Sequence, residues 1–333
     1  MGRAVWDHVQ MSSSHLRWVV AGGLAAWAGA RVAGADRLRS AEGWTVPSLA
    51  FTPYVTAAAV AAIPLLRRSG SRGVATLAAA ALTAAVAPRA IPRPQPSADG
   101  AELRVLTVNM LVGRADAESV VGLVQATGAD VVFLQELTDG ALARLHKAGL
   151  DSVLSYQVLE PTNFGPKGSG IYARYPLRDG LEVPPASRSR PVARLDISPE
   201  QSVELVCVHL RPPRGAQSPG GAARWRAEMA MLPGPSDDVP VILAGDFNAT
   251  LDHTRFRALL RLGYVDAAVQ VGRGLIPTWG PRPGGEVALL AIDHILVDQR
   301  CAVRTVSVHS LPGTDHRALY AEIQLPRPAP AAS

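Results

Sequence analysis

The C-terminal two-thirds of the chain contains short apolar runs rich in β-branched residues, and this pattern constrains the fold more than any other feature of the sequence. Buried strands are predicted at LRVLTVNM (103–110), DVVFLQE (130–136), VELVCVHL (203–210), VPVILAGD (239–246) and AIDHILVD (291–298). Helical patterns lie between several of them, at about 116–127, 138–148, 219–232 and 253–262. Strands without intervening helices are predicted at SGIYARY, PVARLDI and RTVSVHS. The alternation predicts an α/β sandwich with a mixed sheet or sheets, rather than a barrel or a regular doubly wound sheet.

Polar side chains stand where these strands begin or end, or in a loop near the C-terminus. They are Asn109, Glu136, His209, Asp246, Asn248, Asp293, Asp315 and His316. Ligand sites in open α/β sheets collect at strand ends, so these residues are predicted to converge on one site. Several carboxylates at one point repel each other unless a cation joins them. A set rich in oxygen ligands suits Mg²⁺ or Mn²⁺ and suits Zn²⁺ poorly.

Each of these residues also has an ordinary structural explanation. Asp246 and Asn248, taken alone, are more typical of an Asx-turn or a helix N-cap. Glu136 alone would cap the helix predicted from 138, and His209 alone would be a buried, hydrogen-bonded histidine. The joint occurrence of these residues at strand ends favours a shared site. We assign His294 a structural role, because its neighbour in the sequence is better placed for the site.

Several other residues have two open interpretations. Cys207 lies within an apolar run and Cys301 follows one, which favours separate buried thiols, although a disulfide stays open because the sequence does not give the distance between them. Arg174 and Arg211 are more typical of solvated or salt-bridged arginines than of phosphate ligands. Trp279 is predicted either at a substrate entrance or in the core.

The first 91 residues are predicted to form a membrane anchor with about three transmembrane helices. Apolar stretches lie at about 16–35, 48–66 and 74–91, each close to the ~20 residues that span a hydrocarbon core. A signal peptide would account for only one such stretch. The loop RRSGSRG (67–73) contains three arginines and no acid, which predicts a cytoplasmic loop and a C-terminal domain on the outer side.

A proline-rich segment separates this anchor from the strands. PRAIPRPQPSADG (88–100) is predicted to be an extended spacer, with a linker at 92–101, a catalytic domain at 102–326 and a Pro/Ala tail at 327–333. Residues 1–100 hold 10 Arg and 4 acids, whereas residues 101–333 hold 21 Arg and 2 Lys against 24 acids. The second part has a net charge of −1, so no stable nucleic-acid partner is expected.

Seven ordered blocks resemble a known superfamily. They are LRVLTVNM, FLQE, SGIYARYPL, VHLRPP, GDFNAT, IDHIL and GTDHRAL. Over residues 102–325 the chain resembles the endonuclease/exonuclease/phosphatase superfamily, which includes deoxyribonucleases, abasic-site endonucleases, inositol polyphosphate 5-phosphatases and sphingomyelinases. The resemblance implies a two-sheet α/β sandwich. With the apolar stretches in front, the layout is similar to the membrane-anchored vancomycin resistance protein J type of actinobacteria, which is linked to teicoplanin resistance.

The resemblance also implies a metal centre. Glu136 would be the principal ligand, with Asn109 beside it and Asp315 near the metal. The implied cofactor is Mg²⁺ or Mn²⁺, which would offset the charge that develops on a phosphate ester under attack.

Catalytic roles are carried over in the same way. His316 with Asp293 would form a histidine–carboxylate dyad, and His209 would donate to the phosphoryl oxygens. Asp246 with Asn248 would orient the attacking water and hold the phosphate. A water nucleophile needs a carboxylate or imidazole within hydrogen-bond reach, which is consistent with these assignments.

The expected function is therefore a Mg²⁺-dependent phosphohydrolase at the outer face of the membrane. The expected substrate is a lipid-linked phosphate of cell-wall synthesis, such as undecaprenyl pyrophosphate, with a contribution to teicoplanin resistance. An extracellular nuclease or a phospholipid phosphodiesterase is the alternative enzyme. A membrane-anchored binding protein without catalysis is the alternative outside enzymes, and the intact set of polar residues argues against it.

Overall fold

Two six-stranded sheets form the C-terminal part of the molecule, and four helices precede them. The computed structural model describes residues 2–38, 41–66, 70–184, 186–213, 220–284 and 287–328, with the helical backbone alone described for 2–13. The helices before the sheets are α1 (Gly2–Ala33), α2 (Glu42–Leu49), α3 (Thr52–Ala62) and α4 (Gly70–Val86). The remaining elements are β1 (Glu102–Asn109), α5 (Ala117–Thr127), β2 (Val131–Gln135), α6 (Asp139–Lys147), α7 (Leu150–Val153), β3 (Tyr156–Glu160), β4 (Ser169–Ala173), β5 (Leu177–Asp179), β6 (Val192–Ser198), β7 (Gln201–His209), α8 (Gly221–Ala230), β8 (Val241–Asp246), α9 (Thr254–Leu260), β9 (Tyr264–Asp266), α10 (Ala267–Gln270), β10 (Asp293–Asp298), β11 (Ala302–Ser310) and β12 (Arg317–Gln324).

Each sheet is mixed, with one parallel pair at its centre. The strand order is β11-β12-β1-β2-β4-β3 in the first sheet and β5-β6-β7-β8-β10-β9 in the second. The parallel neighbours are β1 with β2 and β7 with β8, whereas the other paired strands run antiparallel. The predicted two-sheet α/β sandwich is therefore confirmed.

Alternate residues of the central strands pack on opposite faces of each sheet. In β1, Leu103 and Val105 belong to the core between the two sheets, whereas Leu106 packs with the residues of α5 and α6. The outer face of the second sheet is covered by α8 and α9, which contribute Trp225 and Phe256. This period of two is what a strand buried on both faces requires, and complete burial of one such apolar side chain contributes about 1.5–3 kcal/mol.

Four strands were not predicted from the sequence: β3, β5, β9 and β12, of which β5 and β9 have only three residues each. The strand β3 is largely exposed, so it lacks the continuous apolar run that marks a buried strand. The strand β12 contains Ala318, Ala321 and Glu322, which favour helices by intrinsic propensity. Pairing with β1 and β11 on its two sides overrides that propensity. Both cysteines, Cys207 and Cys301, are buried free thiols, which agrees with the favoured interpretation.

The predicted membrane stretches overlap helices, but the prediction of about three transmembrane helices is not confirmed. Within the described residues, one helix, Gly70–Ala90, is long and apolar enough to cross a membrane. The middle stretch, 48–66, contains a 69° bend between Glu42–Leu49 and Thr52–Leu65, and these two helices are long and apolar enough to cross a membrane only if they are counted as one broken span. The arginines at 67 and 68 of the predicted cytoplasmic loop lie outside the described residues.

Asp252 joins the N-terminal helices to the second sheet. Its carboxylate is fully buried and accepts hydrogen bonds from Arg31 Nε at 2.6 Å and from Arg89 Nη1 and Nη2 at 2.8 and 2.6 Å. Burial alone would raise the pKa of Asp252, but the hydrogen bonds from Arg89 and Arg31 hold it below its ordinary value. Arg31 and Arg89 interrupt the first and third predicted apolar stretches, and this ion pair explains both of them.

The proline-rich linker is extended but lies against the sheets. Arg93 N donates to Gln270 O at 2.9 Å, Gln95 Nε2 donates to Val303 O at 2.6 Å, and Gly100 N donates to Leu325 O at 2.9 Å. These bonds attach the segment to the domain that follows, so it is not a free spacer. Of the predicted tail, residues 329–333 lie outside the described residues.

We expect Asp252→Ala to lower the free energy of unfolding by about 3–5 kcal/mol, because it leaves two buried guanidinium groups without a counter-charge. Chemical denaturation of the full-length protein measures this change. Asp179→Ala, at an exposed position of β5, is the control and should change the free energy by less than about 0.5 kcal/mol. Equal effects of the two substitutions would show that Asp252 does not hold the helices in place.

Candidate active site

The four central strands bring their carboxyl ends to one edge of the sandwich. Asn109 ends β1, Glu136 directly follows β2, His209 ends β7 and Asp246 ends β8. His209 and Asp246 lie opposite each other in the register of β7 and β8. Among the contacts that cross between the sheets here, Asn109 Nδ2 donates to Asp246 Oδ2 at 3.2 Å, and His209 Nε2 lies 3.5 Å from Glu136 Oε1. The predicted convergence of these residues is therefore what the structure shows.

The backbone is strained around these strand ends. Among the described residues, the non-glycine residues with positive φ are Leu111, Val112, Glu136 and Asn248, with φ between 45° and 56°. This conformation costs a β-branched residue such as Val112 about 1–3 kcal/mol. Glu136 is held in place by the N–H of Val112, which donates to Glu136 Oε2 at 2.8 Å. Strain that is concentrated at one place and supported by such bonds is typical of a functional site.

Asp246 and Asn248 form the turn that their spacing predicts. Asp246 Oδ1 accepts from Asn248 N at 2.8 Å, and Asn248 Nδ2 donates to Leu210 O at 2.9 Å. Gly245 precedes this turn with φ 144°, and a Cβ there would lie 1.9 Å from Val208 O on β7. The turn and the site are compatible explanations, because the Asx-turn fixes both polar side chains at the end of β8.

His316 and Asp293 form the expected dyad. His316 Nδ1 lies 2.9 and 3.1 Å from the two carboxylate oxygens of Asp293, and His316 Nε2 lies 3.9 Å from Asp246 Oδ2. Burial would lower the pKa of His316, but Asp293, together with Asp246 and Asp315, raises it to about 9. The ring is therefore protonated at neutral pH, with one N–H fixed by Asp293.

The carboxylate of Asp246 titrates near neutrality. Burial raises its pKa to about 7, and the charge of Asp293 adds to this rise, while His316 opposes it. Asp246 and Asp293 are directly opposite in the register of β8 and β10. A group with this pKa changes protonation close to the pH at which a general base acts most effectively.

Two carboxylates have oxygens available to a cation. Asp315 Oδ1 is buried without a hydrogen-bond partner in the described part of the chain, while Asp315 Oδ2 accepts from Trp279 Nε1 at 3.1 Å. Glu136 Oε1 has its recorded polar contact with His209 Nε2 at 3.5 Å. Both carboxylates line one cavity. Carboxylate oxygens that line a cavity and are not used in strong hydrogen bonds fit a divalent cation.

A second group of metal-binding type lies close by but is accounted for without a metal. The ligand atoms of Asp246, Asp293 and His316 lie within 4.8 Å of one another. His316 Nδ1 already lies 2.9 and 3.1 Å from the two carboxylate oxygens of Asp293. The short distances within this group follow from the dyad, so Glu136 and Asp315 are the better candidate ligands.

Arg188 is a residue of the site that the sequence did not predict. Its Nη1 contacts His209 Nε2, and its guanidinium interacts with Asp246 and Glu136, although burial lowers its pKa. The pKa of His209 lies well below its ordinary value because of burial, Arg188 and His316. A neutral His209 that accepts at Nε2 carries its proton on Nδ1, so Arg188 rather than His209 is the donor facing the cavity. The signal in the sequence was PPASRSRPV, which contains two arginines and no acid.

Other polar residues have structural partners. His294 Nδ1 lies 2.6 Å from Asp266 Oδ2, and its Nε2 lies 2.9 Å from Ala249 O, which agrees with a structural role. Arg174 forms an ion pair with Asp130 at 2.9 Å. Arg211 likewise pairs with Glu228, as the sequence favoured.

A cavity of about 490 Å³ opens at the site. Its polar lining includes Glu136, Arg188, Asp246, Asn248, Asp315 and His316. Trp279 also lines it, which favours the entrance over the core for this residue. The volume and mixed lining are those of a site for a small molecule or for the end of a larger one.

Comparison with known proteins places the chain among the metal-dependent phosphoesterases. It belongs to the Endonuclease/Exonuclease/phosphatase family, whose model matches residues 106–316. Members of this family depend on divalent metal ions, which agrees with the carboxylates of Glu136 and Asp315 that line the cavity. A search of curated proteins gave no match.

Similar solved structures have the same fold. The endonuclease/exonuclease/phosphatase from Beutenbergia cavernae DSM 12333 has a TM-score of 0.54 and 20% identity, covering 69% of this chain and 73% of its own. Humanized D. rerio TDP2 with 14 mutations has a TM-score of 0.54 and 18% identity, covering 67% and 98%. D. rerio TDP2 complexed with a single-strand DNA product has a TM-score of 0.52 and 17% identity, covering 67% and 99%. These likenesses support the fold, and the individual residue roles stay predictions.

Asp293→Asn should move the alkaline limb of the rate profile to lower pH. Because the Asp293 carboxylate raises the pKa of His316 to about 9, its loss should lower the pH at which His316 loses its proton by about 1–3 pH units. Rates of phosphate-ester hydrolysis at saturating Mg²⁺ between pH 6 and 10 measure the shift. Asp179→Asn is the control, and an unchanged alkaline limb in Asp293→Asn would be evidence against the dyad.

Proposed function

We propose that the protein is a Mg²⁺- or Mn²⁺-dependent phosphohydrolase that acts at the outer face of the cell membrane on a lipid-linked phosphate of cell-wall synthesis, such as undecaprenyl pyrophosphate. In this proposal it contributes to teicoplanin resistance in the manner of the vancomycin resistance protein J type. One observation carries it: the cavity that holds Glu136, Asp246 and His316 is also lined by Pro47 and Phe51 of the N-terminal helices. The candidate catalytic residues and apolar residues of the N-terminal segment therefore line the same cavity.

In this proposal, different side chains of the site have different roles in hydrolysis. Glu136 and Asp315, with Asn109 beside them, would hold the cation, which when bound offsets negative charge on the phosphoryl oxygens. In its ionised form, Asp246 orients a water molecule and accepts its proton. Protonated His316 donates from Nε2 toward the substrate, because its Nδ1 is occupied by Asp293.

Donors from the protein stabilise the phosphoryl group itself. Arg188 supplies a buried guanidinium, and Asn248 supplies an amide whose position is fixed by its turn. Charge-assisted hydrogen bonds from a guanidinium match the geometry of phosphate oxygens. Such donors act where charge develops during attack, and this is often the largest contribution to catalysis.

The arrangement of the helices supports a membrane anchor with the catalytic domain outside. The end of α1 and the segment after α4 both meet Asp252, and α3 begins at the same side of the molecule, beside the sheets. The arginine-rich segment 67–73, predicted from its sequence to be cytoplasmic, follows α3 in the chain and includes the first residues of α4. Large apolar side chains on these helices are exposed, among them Leu16, Val19, Leu65 and Leu77, which is typical of a membrane-facing surface.

The alternatives predict different substrates. A nuclease or a phospholipid phosphodiesterase needs the same centre, and the D. rerio TDP2 structure contains a single-strand DNA product. The net charge of −1 over residues 101–333 offers no cationic track for a polyanion. A binding protein without catalysis would not need the full set of ionisable groups to be preserved at one place.

The test is a phosphate-release assay on the full-length protein with lipid pyrophosphates, phospholipids and DNA side by side. We expect release from the lipid pyrophosphate, loss of activity with EDTA and recovery with Mg²⁺ or Mn²⁺. Glu136→Gln should reduce kcat by about a thousandfold, because it weakens the hold on the cation. Glu118→Gln, at an exposed position of α5, is the matched control.

The other outcomes contradict the proposal in distinct ways. Activity on DNA or phospholipid alone would identify one of the alternative enzymes. Absence of turnover on all substrates, with binding that survives EDTA, would identify a binding protein.

A further inference from the structure

One wall of the active-site cavity lies outside the region that the family model matches. Pro47, Ala50 and Phe51 line this cavity, at the bend of 69° between α2 and the helix that begins at Thr52. The family model begins at residue 106. The wall is therefore contributed by the N-terminal helices of this chain and is not part of the matched domain.

The α2 side of this wall is fixed to the catalytic domain. Glu42, in the first turn of α2, forms an ion pair with Arg226 of α8. His253 Nδ1 accepts from Thr250 N at 2.8 Å, so the proton of this neutral ring is on Nε2, which donates to Val46 O at 2.8 Å. Burial lowers the pKa of His253 and keeps the ring neutral. These bonds hold the backbone next to Pro47 in one position.

The α3 side of the wall is fixed as well. Tyr54 Oη donates to Leu289 O at 2.6 Å, and the next residue, Leu290, lines the same cavity. The rings of Phe51 and Tyr54 lie 6.2 Å apart between centroids. Phe51 is 41% exposed, so a large part of its ring is available to a ligand. The bend is thus a preformed apolar surface, attached on both sides.

The cavity is lined by two chemically different groups of residues. Its charged residues are Glu136, Arg188, Asp246, Asp315 and His316, and its large apolar residues outside the catalytic set include Phe51, Leu290 and Ile292. A phosphate bound by the charged residues leaves the group attached to it among the other residues that line the cavity. A neighbouring cavity of about 510 Å³ shares Arg188 but is lined by Lys167 and Arg190. An apolar group attached to the phosphate therefore fits against Phe51 and the other apolar lining residues, and not in the cationic neighbouring cavity.

We propose that the bend between α2 and α3 binds the hydrocarbon chain next to the phosphate of the substrate, with Phe51 as its main contact. The N-terminal helices then select amphiphilic phosphates over small soluble ones. This inference rests on the proposed function, since it assigns the apolar part of the same substrate to named residues. Selection follows from the hydrophobic effect, because each methylene that reaches Phe51 leaves water.

Binding of alkylphosphonates from ethylphosphonate to octylphosphonate tests this inference without turnover, because their carbon–phosphorus bond is not hydrolysed. The full-length protein in lipid nanodiscs with Mg²⁺ is titrated by calorimetry, with empty nanodiscs as the blank. For the unmodified protein we expect Kd to fall by up to about fourfold for each methylene that contacts the wall. Phe51→Ala should raise Kd for octylphosphonate about tenfold and change Kd for ethylphosphonate by less than about twofold.

Two variants distinguish binding to the Phe51 wall from a general effect of exposed apolar surface on binding of the alkyl chain. Phe51→Leu should keep most of the dependence on chain length. Val60→Ala removes apolar surface from α3 at an exposed position that does not line the cavity, and it should leave the whole series unchanged.

The outcomes distinguish this inference from the proposed function. Equal dependence on chain length in Phe51→Ala and the unmodified protein would overturn the role of the wall, as would octylphosphonate binding no more tightly than ethylphosphonate. The expected binding series combined with no phosphate release from any lipid phosphate would support the wall and contradict the proposed hydrolase.

Discussion

The parallel pairing at the centre of each sheet is the constraint on which the site depends. Because β1 runs with β2 and β7 with β8, four strands end at the same edge of the sandwich. Packing of the two sheets face to face then brings Asn109 of one sheet within 3.2 Å of Asp246 of the other. The site is assembled from both sheets, so its geometry requires that the whole core is packed. The positive φ of Glu136 and Asn248 is sustained by this packing.

The N-terminal helices are a part of this assembly and not a separate tether. Asp252 forms buried ion pairs with Arg31 and Arg89, and Asp36 accepts hydrogen bonds from Thr254 N and Oγ1 at 2.6 Å each. These contacts fix the ends of the helices against α9. The bend between α2 and α3 is therefore held in position as a wall of the cavity. The same contacts thus support both the proposed membrane anchor and the proposed binding of the hydrocarbon chain of the substrate.

The sequence predicted the parts that follow from local pattern. Polar residues at the ends of predicted strands and in the loop near the C-terminus predicted that Glu136, Asp246 and His316 lie close together, because the strands of a sheet place their ends at one edge. The sequence did not predict the ion pairs of Asp252, whose partners lie 221 and 163 residues away, nor the bend that divides the middle apolar stretch. Arg188 was missed because it lies in a loop, where no periodic pattern indicates the direction of a side chain.

The position of the metal ion tests the central claim most directly. A crystal of the protein grown with Mn²⁺ gives an anomalous difference peak at the bound ion. We expect this peak beside Glu136 and Asp315, with metal–oxygen distances of roughly 2.0–2.3 Å, while His316 keeps its bond to Asp293. A peak enclosed by Asp246, Asp293 and His316, or no peak at the site, would contradict the assignment of Glu136 and Asp315 as the metal ligands.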